Sequence, residues 1–220
     1  YDQLIHDIAL QNIPMLFAID RAGIVGADGA THSGNFDISF LRCIPNLVIM
    51  TPSNEDQCYQ MLKTGFNFNG ICMVRFPRGH GAGVKINKKS NLLTIGKSEL
   101  IRKGKEIAIL AFGPVVSTAL EVANELNATL IDMKFVKPID ENMIKKSVIN
   151  HKVIVTIEDN TILGGAGSTV IEVISKNNLK CKTICLGIPD KFLEHGTQDE
   201  IYKLCGLDKN SIIKKIVKQL

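Results

Sequence analysis

The chain has 220 residues, of which 45% are hydrophobic and 22% charged, and its formal net charge is +4. That is enough for one large or two modest domains with a sizeable core, and the composition excludes a disordered chain. Lys residues are scattered, only 5% of residues are aromatic and Trp is absent, which argues against a nucleic-acid-binding stripe; no apolar run approaches the ~20 residues of a membrane span.

The opening residues, YDQLIHDIALQ, read as an amphipathic helix with Leu4, Ile5, Ile8 and Ala9 at helical spacing. No initiating Met precedes them, so the chain is expected to begin inside a domain. Pro14 ends this segment, and Met15 to Ile19 is a short buried-strand run. Residues 20–36, DRAGIVGADGATHSGNF, carry four Gly and no period. A loop of that length in a compact domain points to function. Leu47 to Thr51 predicts a strand, Ser53 the head of a helix with Asp56 completing an approximate capping box, and Ile71 to Phe76 a third strand. The polar, Gly- and Lys-rich stretch that follows reads as a linker over residues 81–92.

Beyond it the strand–helix alternation restarts. Strands are expected at Glu106 to Phe112, Ala128 to Met133, Lys152 to Glu158 and Lys182 to Leu186. Helices are expected at 115–126, 141–149 (capped by Asp140), 167–176, 197–205 and 209–219. Strands separated by ten-residue helices predict an α/β chain with two mostly parallel sheets covered by helices. Residues 1–80 and 93–220 would be its two units.

The 20–37 loop carries most of the chemistry. Loops at the C-terminal ends of strands are where α/β sheets bind ligands. Asp20, Arg21, Asp28, His32 and Asp37 fall within it. His32 can shuttle protons, Asp28 can orient it or bind hydroxyls, and Arg21 offers a planar fork suited to phosphate. By composition alone, an exposed turn with incidental charges is an equal reading. Arg78 by itself is a solvated charge at the linker edge, and Arg75, on a strand, reads as a structural ion-pair residue. His6, His80 and His151 carry no chemistry in this reading. The GGAGS run at 164–168 could bind an anion at a helix N-terminus, but it lacks the Lys-Ser/Thr of a P-loop and reads as a tight turn. The final helix, with Lys214, Lys215 and Lys218 opposite an apolar face, reads as a sheet-covering helix rather than a membrane-surface one. Cys43, Cys58 and Cys72 lie in apolar runs and read as buried, reduced thiols. Cys181 and Cys185 lack the further ligands that a zinc site needs.

A set of motifs in chain order carries a resemblance. DRAGIVGADGATHSGNFD (20–37), MTPSNEDQ (50–57), VRFPRG (74–79), FVKPID (135–140), EDNTILGGAGS (158–168) and GIPDKFLEHGTQDE (187–200) resemble the 1-deoxy-D-xylulose-5-phosphate synthase family. The core DGATH (28–32) is similar to transketolases more broadly. The resemblance spans nearly the whole chain. It implies the second half of a pyrimidine-binding domain (1–80) and a transketolase C-terminal domain (93–220). It also implies a homodimeric thiamine-diphosphate- and Mg2+-dependent enzyme that joins pyruvate to D-glyceraldehyde 3-phosphate with loss of carbon dioxide, in a bacterial cytoplasm or a plastid-type organelle.

Four positions match family site residues: Asp28 and His32 as catalytic residues, Arg21 and Arg78 as binders of the acceptor phosphate. The motifs for thiamine diphosphate and for the metal fall in a missing N-terminal portion, so no residue of this chain is expected to bind either, and the chain alone is expected to be inactive. Two other readings stay open. One is a transketolase or the β-type subunit of a 2-oxo-acid dehydrogenase, though transketolases lack the DRAGIVG lead-in and RFPRG. The other is a non-catalytic half that serves assembly.

Overall fold

Three apolar runs make the first sheet: β1 (Met15–Ile19), β2 (Leu47–Met50) and β3 (Ile71–Arg75). In the computed structural model, which describes all 220 residues, β3 lies between β1 and β2 and is parallel to both. Every residue of β2 and β3 is buried, as expected of strands covered on both faces. The opening helical segment is wound as a π-helix over Leu4–Ala9, and Ala9 is its one buried residue. Helix α1 (Asp37–Leu41), which the sequence pattern did not announce, follows the long loop.

Helix α2 (Glu55–Phe66) is capped one residue later than expected. Asn54, not Ser53, is the cap: its Oδ1 accepts from Gln57 N at 3.0 Å, while Gln57 Oε1 accepts from Ser53 N at 3.0 Å. Asp56 is thereby free for the linker and accepts from Asn87 N at 2.7 Å, as Glu55 accepts from Gly83 N at 2.6 Å. The linker is thus tied back along α2.

The second sheet has the order β4-β6-β5-β8-β9. Its strands are β4 (Glu99–Arg102), β5 (Ile107–Phe112), β6 (Thr129–Asp132), β8 (Val153–Thr161) and β9 (Lys182–Ile188). All pairs are parallel except β4 with β6. Helices α3 (Val116–Glu125), α4 (Glu141–Asn150), α5 (Ala166–Lys176), α6 (Gln198–Cys205) and α7 (Lys209–Val217) cover it. Asp140 caps α4 as expected, accepting from Met143 N at 3.2 Å. The fold is the expected one: two mostly parallel sheets clad in helices.

The two sheets are not independent. Strand β7 (Phe135–Lys137) belongs by sequence to the second alternation but pairs antiparallel with β2, at the edge of the first sheet. Gln57 Nε2 donates to Asp132 at 2.6 Å across the same boundary. One buried cluster also joins Ile49, Ile71 and Met73 of the first sheet to Ala108, Leu110, Ile131 and Ile154 of the second.

All six cysteines are free thiols. Cys72 and Cys205 are buried, but Cys43 is exposed, with its Sγ 3.3 Å from Phe40 O. Its apolar neighbours face inward while the thiol itself does not. No helix is long and apolar enough to cross a membrane.

Candidate functional site

Parallel strands end on the same side of a sheet, and β1 and β3 end together, with Ile19 beside Arg75. The chain leaves β1 through Arg21, a non-glycine residue with φ 56. Ala22 N then donates to Phe76 O at 3.0 Å, which fixes the loop to the segment leaving β3. Gly23 N and Gly34 O, 2.8 Å apart, close the loop on itself. Arg21 and Arg78 therefore project from adjacent strand ends. Between them a turn of 3-10 helix over Ala30–His32 follows Gly29, whose φ of 69 suits glycine.

Arg21, Asp28, Thr31, His32, Arg78 and His195 line one cavity of about 370 Å³. All four residues singled out by the motif match lie around it. Both guanidiniums meet on a single oxygen. Arg21 Nη1 is 2.5 Å from Asp28 Oδ2, and Arg78 Nη1 donates to the same atom. The hydrogen bond from Arg78, with the charges of both arginines, holds the Asp28 carboxyl below its ordinary range. Thr31 Oγ1 and His32 Nδ1 are 2.9 Å apart. Side chains that donate outnumber the one carboxylate, so the cavity favours an anion. Arg21 and Arg78 are 41% and 50% exposed, so an incoming ligand can reach them.

A segment from the other end of the chain roofs this loop. The Phe36 and Phe192 rings meet edge-to-face at 6.3 Å, and Gln198 Nε2 donates to Ile24 O at 2.7 Å. A Cβ on Gly26 would stand 2.9 Å from Gln198 N, and one on Gly29 2.5 Å from the His195 ring. His195 lies in the GIPDKFLEHGTQDE stretch, but nothing in the sequence distinguished it. Only the packing of residues 193–198 over the loop brings it to the cavity.

Beneath the loop is a buried charged seam. Arg75, 2% exposed, donates through Nε to Asp37 at 2.7 Å and through Nη1 to Asp159 at 2.6 Å. This is the structural ion-pair role expected of it. Burial opposes its charge, but attraction to Asp159 and Asp37 outweighs that and raises its pKa. Asp159 Oδ2 has no hydrogen-bond partner and lies 2.4 Å from where a Gly23 Cβ would be. Next along β8, Glu158 accepts from Ala166 N at 2.7 Å and Gly167 N at 2.8 Å. The GGAGS turn thus does present helix N-terminal amides to an acceptor, and the acceptor is the chain's own Glu158 carboxyl group. Burial pushes the pKa of Glu158 up to about 8 despite those two amides.

Residues 1–82 match the family model for the transketolase pyrimidine binding domain, and residues 96–212 that for the transketolase C-terminal domain. A curated relative from Psychromonas ingrahamii, named 1-deoxy-D-xylulose-5-phosphate synthase, is 55% identical over 217 residues, 99% of this chain and 35% of that protein. One of the same name from Vibrio parahaemolyticus is 53% identical over 220 residues, 100% of this chain and 35% of that protein. The chain thus spans about a third of the length of these relatives. Among solved structures, one titled "Split gene transketolase, inactive beta4 tetramer" matches with a TM-score of 0.85 at 23% identity, covering 99% of this chain and 70% of that one. A transketolase from Campylobacter jejuni matches with a TM-score of 0.74 at 19% identity, covering 96% of this chain and 32% of that one. These two share the fold.

Proposed function

The chain belongs to the transketolase family, and from that premise we propose that it is the acceptor-binding part of a 1-deoxy-D-xylulose-5-phosphate synthase, which condenses pyruvate with D-glyceraldehyde 3-phosphate and releases carbon dioxide. The observation that carries this reading is the convergence of Arg21 and Arg78 on one Asp28 oxygen at the ends of β1 and β3. Two guanidiniums that share one anionic oxygen are spaced to share a phosphate, each through charge-assisted hydrogen bonds.

Asp28 occupies the phosphate's place until the acceptor arrives. The acceptor phosphate then takes the two arginines, and Asp28 is released toward the cavity. There Asp28 and His32 hold and move protons at the hydroxyl and carbonyl oxygens of the reactants. Thr31 fixes the His32 ring through Nδ1, which leaves the other nitrogen for the substrate.

The family's cofactor, thiamine diphosphate, supplies the donor carbanion in such enzymes. No group of three or more His, Cys, Asp or Glu side chains is placed to hold a metal ion. In this proposal the chain contributes acceptor binding and proton handling, and the cofactor and metal are held by the rest of the full-length protein. In the same proposal, residues 1–80 form half of a pyrimidine-binding domain, 81–92 the linker and 93–220 the C-terminal domain of a homodimer in the bacterial cytoplasm.

The test is Arg21→Ala and Arg78→Ala in the full-length protein. Each is expected to raise KM for D-glyceraldehyde 3-phosphate by about 10- to 100-fold, the scale of a hydrogen bond to a charged group, with a smaller effect on KM for pyruvate. An unchanged KM for the phosphorylated acceptor would overturn the phosphate role.

A further inference from the structure

We infer that His195, supplied by the segment that roofs the loop, is a third donor to the acceptor's phosphate and so helps determine specificity for a phosphorylated acceptor. The inference rests on the reading of Arg21 and Arg78 given above, and it adds a residue from the far end of the chain to the site.

His195 shares the cavity with Arg21, Asp28, Thr31, His32 and Arg78. Its backbone is held on both sides. Leu193 is buried in the core at 4% exposure, and Thr197 caps α6 through a reciprocal box with Glu200. Gln198 then pins the start of α6 to Ile24 O at 2.7 Å. The imidazole between these anchors lies against Gly29, the residue that joins Asp28 to the His32 turn. A Cβ at position 29 would come within 2.5 Å of both Cε1 and Nε2 of the ring, so the loop has been kept bare at the point where His195 enters.

The ring makes no hydrogen bond within the chain, unlike His151, whose two nitrogens lie 2.7 Å from Thr129 Oγ1 and 2.8 Å from Ser147 O. A donor held in place by its backbone, unpaired, at the wall of a cavity that already holds two guanidiniums has an anion as its natural partner. Asp28, the one carboxylate among the lining residues, is already engaged by both arginines. The partner left for His195 is the ligand's own anionic group. The acceptor phosphate has three terminal oxygens, one for each of Arg21, Arg78 and His195.

The experiment compares D-glyceraldehyde 3-phosphate with unphosphorylated D-glyceraldehyde as acceptors for the full-length enzyme carrying His195→Ala or His195→Gln. The readout is the ratio of kcat/KM for the phosphorylated acceptor to that for the unphosphorylated one. The ratio is expected to fall about tenfold in His195→Ala, and less in His195→Gln, which keeps a donor. A ring that only props Gly29 would depress both acceptors alike and leave the ratio unchanged, which would overturn the inference. A rise in KM for pyruvate with an unchanged ratio would overturn it too, because it would place His195 on the donor. Arg78→Ala is run in parallel. If it lowers the ratio and His195→Ala does not, only the role of His195 is wrong; if neither does, the phosphate reading itself fails.

Discussion

Asp28 shows how much a single side chain can set in this molecule. It bridges two arginines that would otherwise face each other across the cavity, and they hold its carboxyl ionised. Glu158 is the opposite case. It is 0% exposed, with no cation bonded to it, and burial raises its pKa from 4.5 to about 8. The folded chain therefore binds this proton more tightly than the unfolded chain does. The stability it contributes is present in full below about pH 4.5 and is lost as pH rises toward and through about 8. Between those limits denaturant titrations should show the protein losing stability on the order of a few kcal/mol from this group. Glu158→Gln, which cannot titrate, should flatten the slope; an unchanged slope would mean that Glu158 is ionised in the folded protein throughout.

At this scale the sequence was informative where residues stand in one motif. Arg21, Asp28 and His32 share a loop, and Arg78 follows the neighbouring strand. All four line the cavity. His195 and Asp159, the distant partner of Arg75, were not legible, because their relation to the loop exists only once residues 158–159 and 193–198 have folded onto it.

Among the elements, the loop of residues 20–36 depends on glycines that admit the roof and the seam. Gly23 has φ +72, and its Cβ would strike both the side chain and the carbonyl of Asp159 at 2.4–2.9 Å. Gly23→Ala is expected to destabilise by about 2–4 kcal/mol, combining a left-handed alanine with an overpacked contact. Thermal melts would check this, and a loss under about 0.5 kcal/mol, the range of an ordinary surface substitution, would show that the loop moves away from Asp159 without cost. Of the strands that sequence reading found, β2, β3 and β5 are apolar runs buried at every residue, whereas β1, expected as a buried run, lies at a sheet edge with no residue fully buried. The ones it missed lack that signal. Strand β4 is ELIR, largely exposed at an edge, and β7 has three residues. The shift of the α2 cap from Ser53 to Asn54 has the same origin: both residues can cap, and only the backbone, extended at Asn54, decides between them.

For the molecule as a whole, the consequence of β7 is that the first sheet is not complete without residues from the second stretch of sequence. The alternation of strands and helices announced two units but not this crossing strand, since a three-residue strand pairs by position in space rather than by pattern. The β2–β7 pairing, the Gln57–Asp132 bond and the shared core join the two sheets, and the cavity is lined by residues from both stretches of sequence. The proposal for the full-length protein rests on that cavity, and its most direct test is the choice of donor and the product formed. Incubated with pyruvate, D-glyceraldehyde 3-phosphate, thiamine diphosphate and Mg2+, the full-length protein is expected to release carbon dioxide and one equivalent of 1-deoxy-D-xylulose 5-phosphate, identified by mass spectrometry. Two-carbon transfer from a ketose phosphate, with no product from pyruvate, would contradict it.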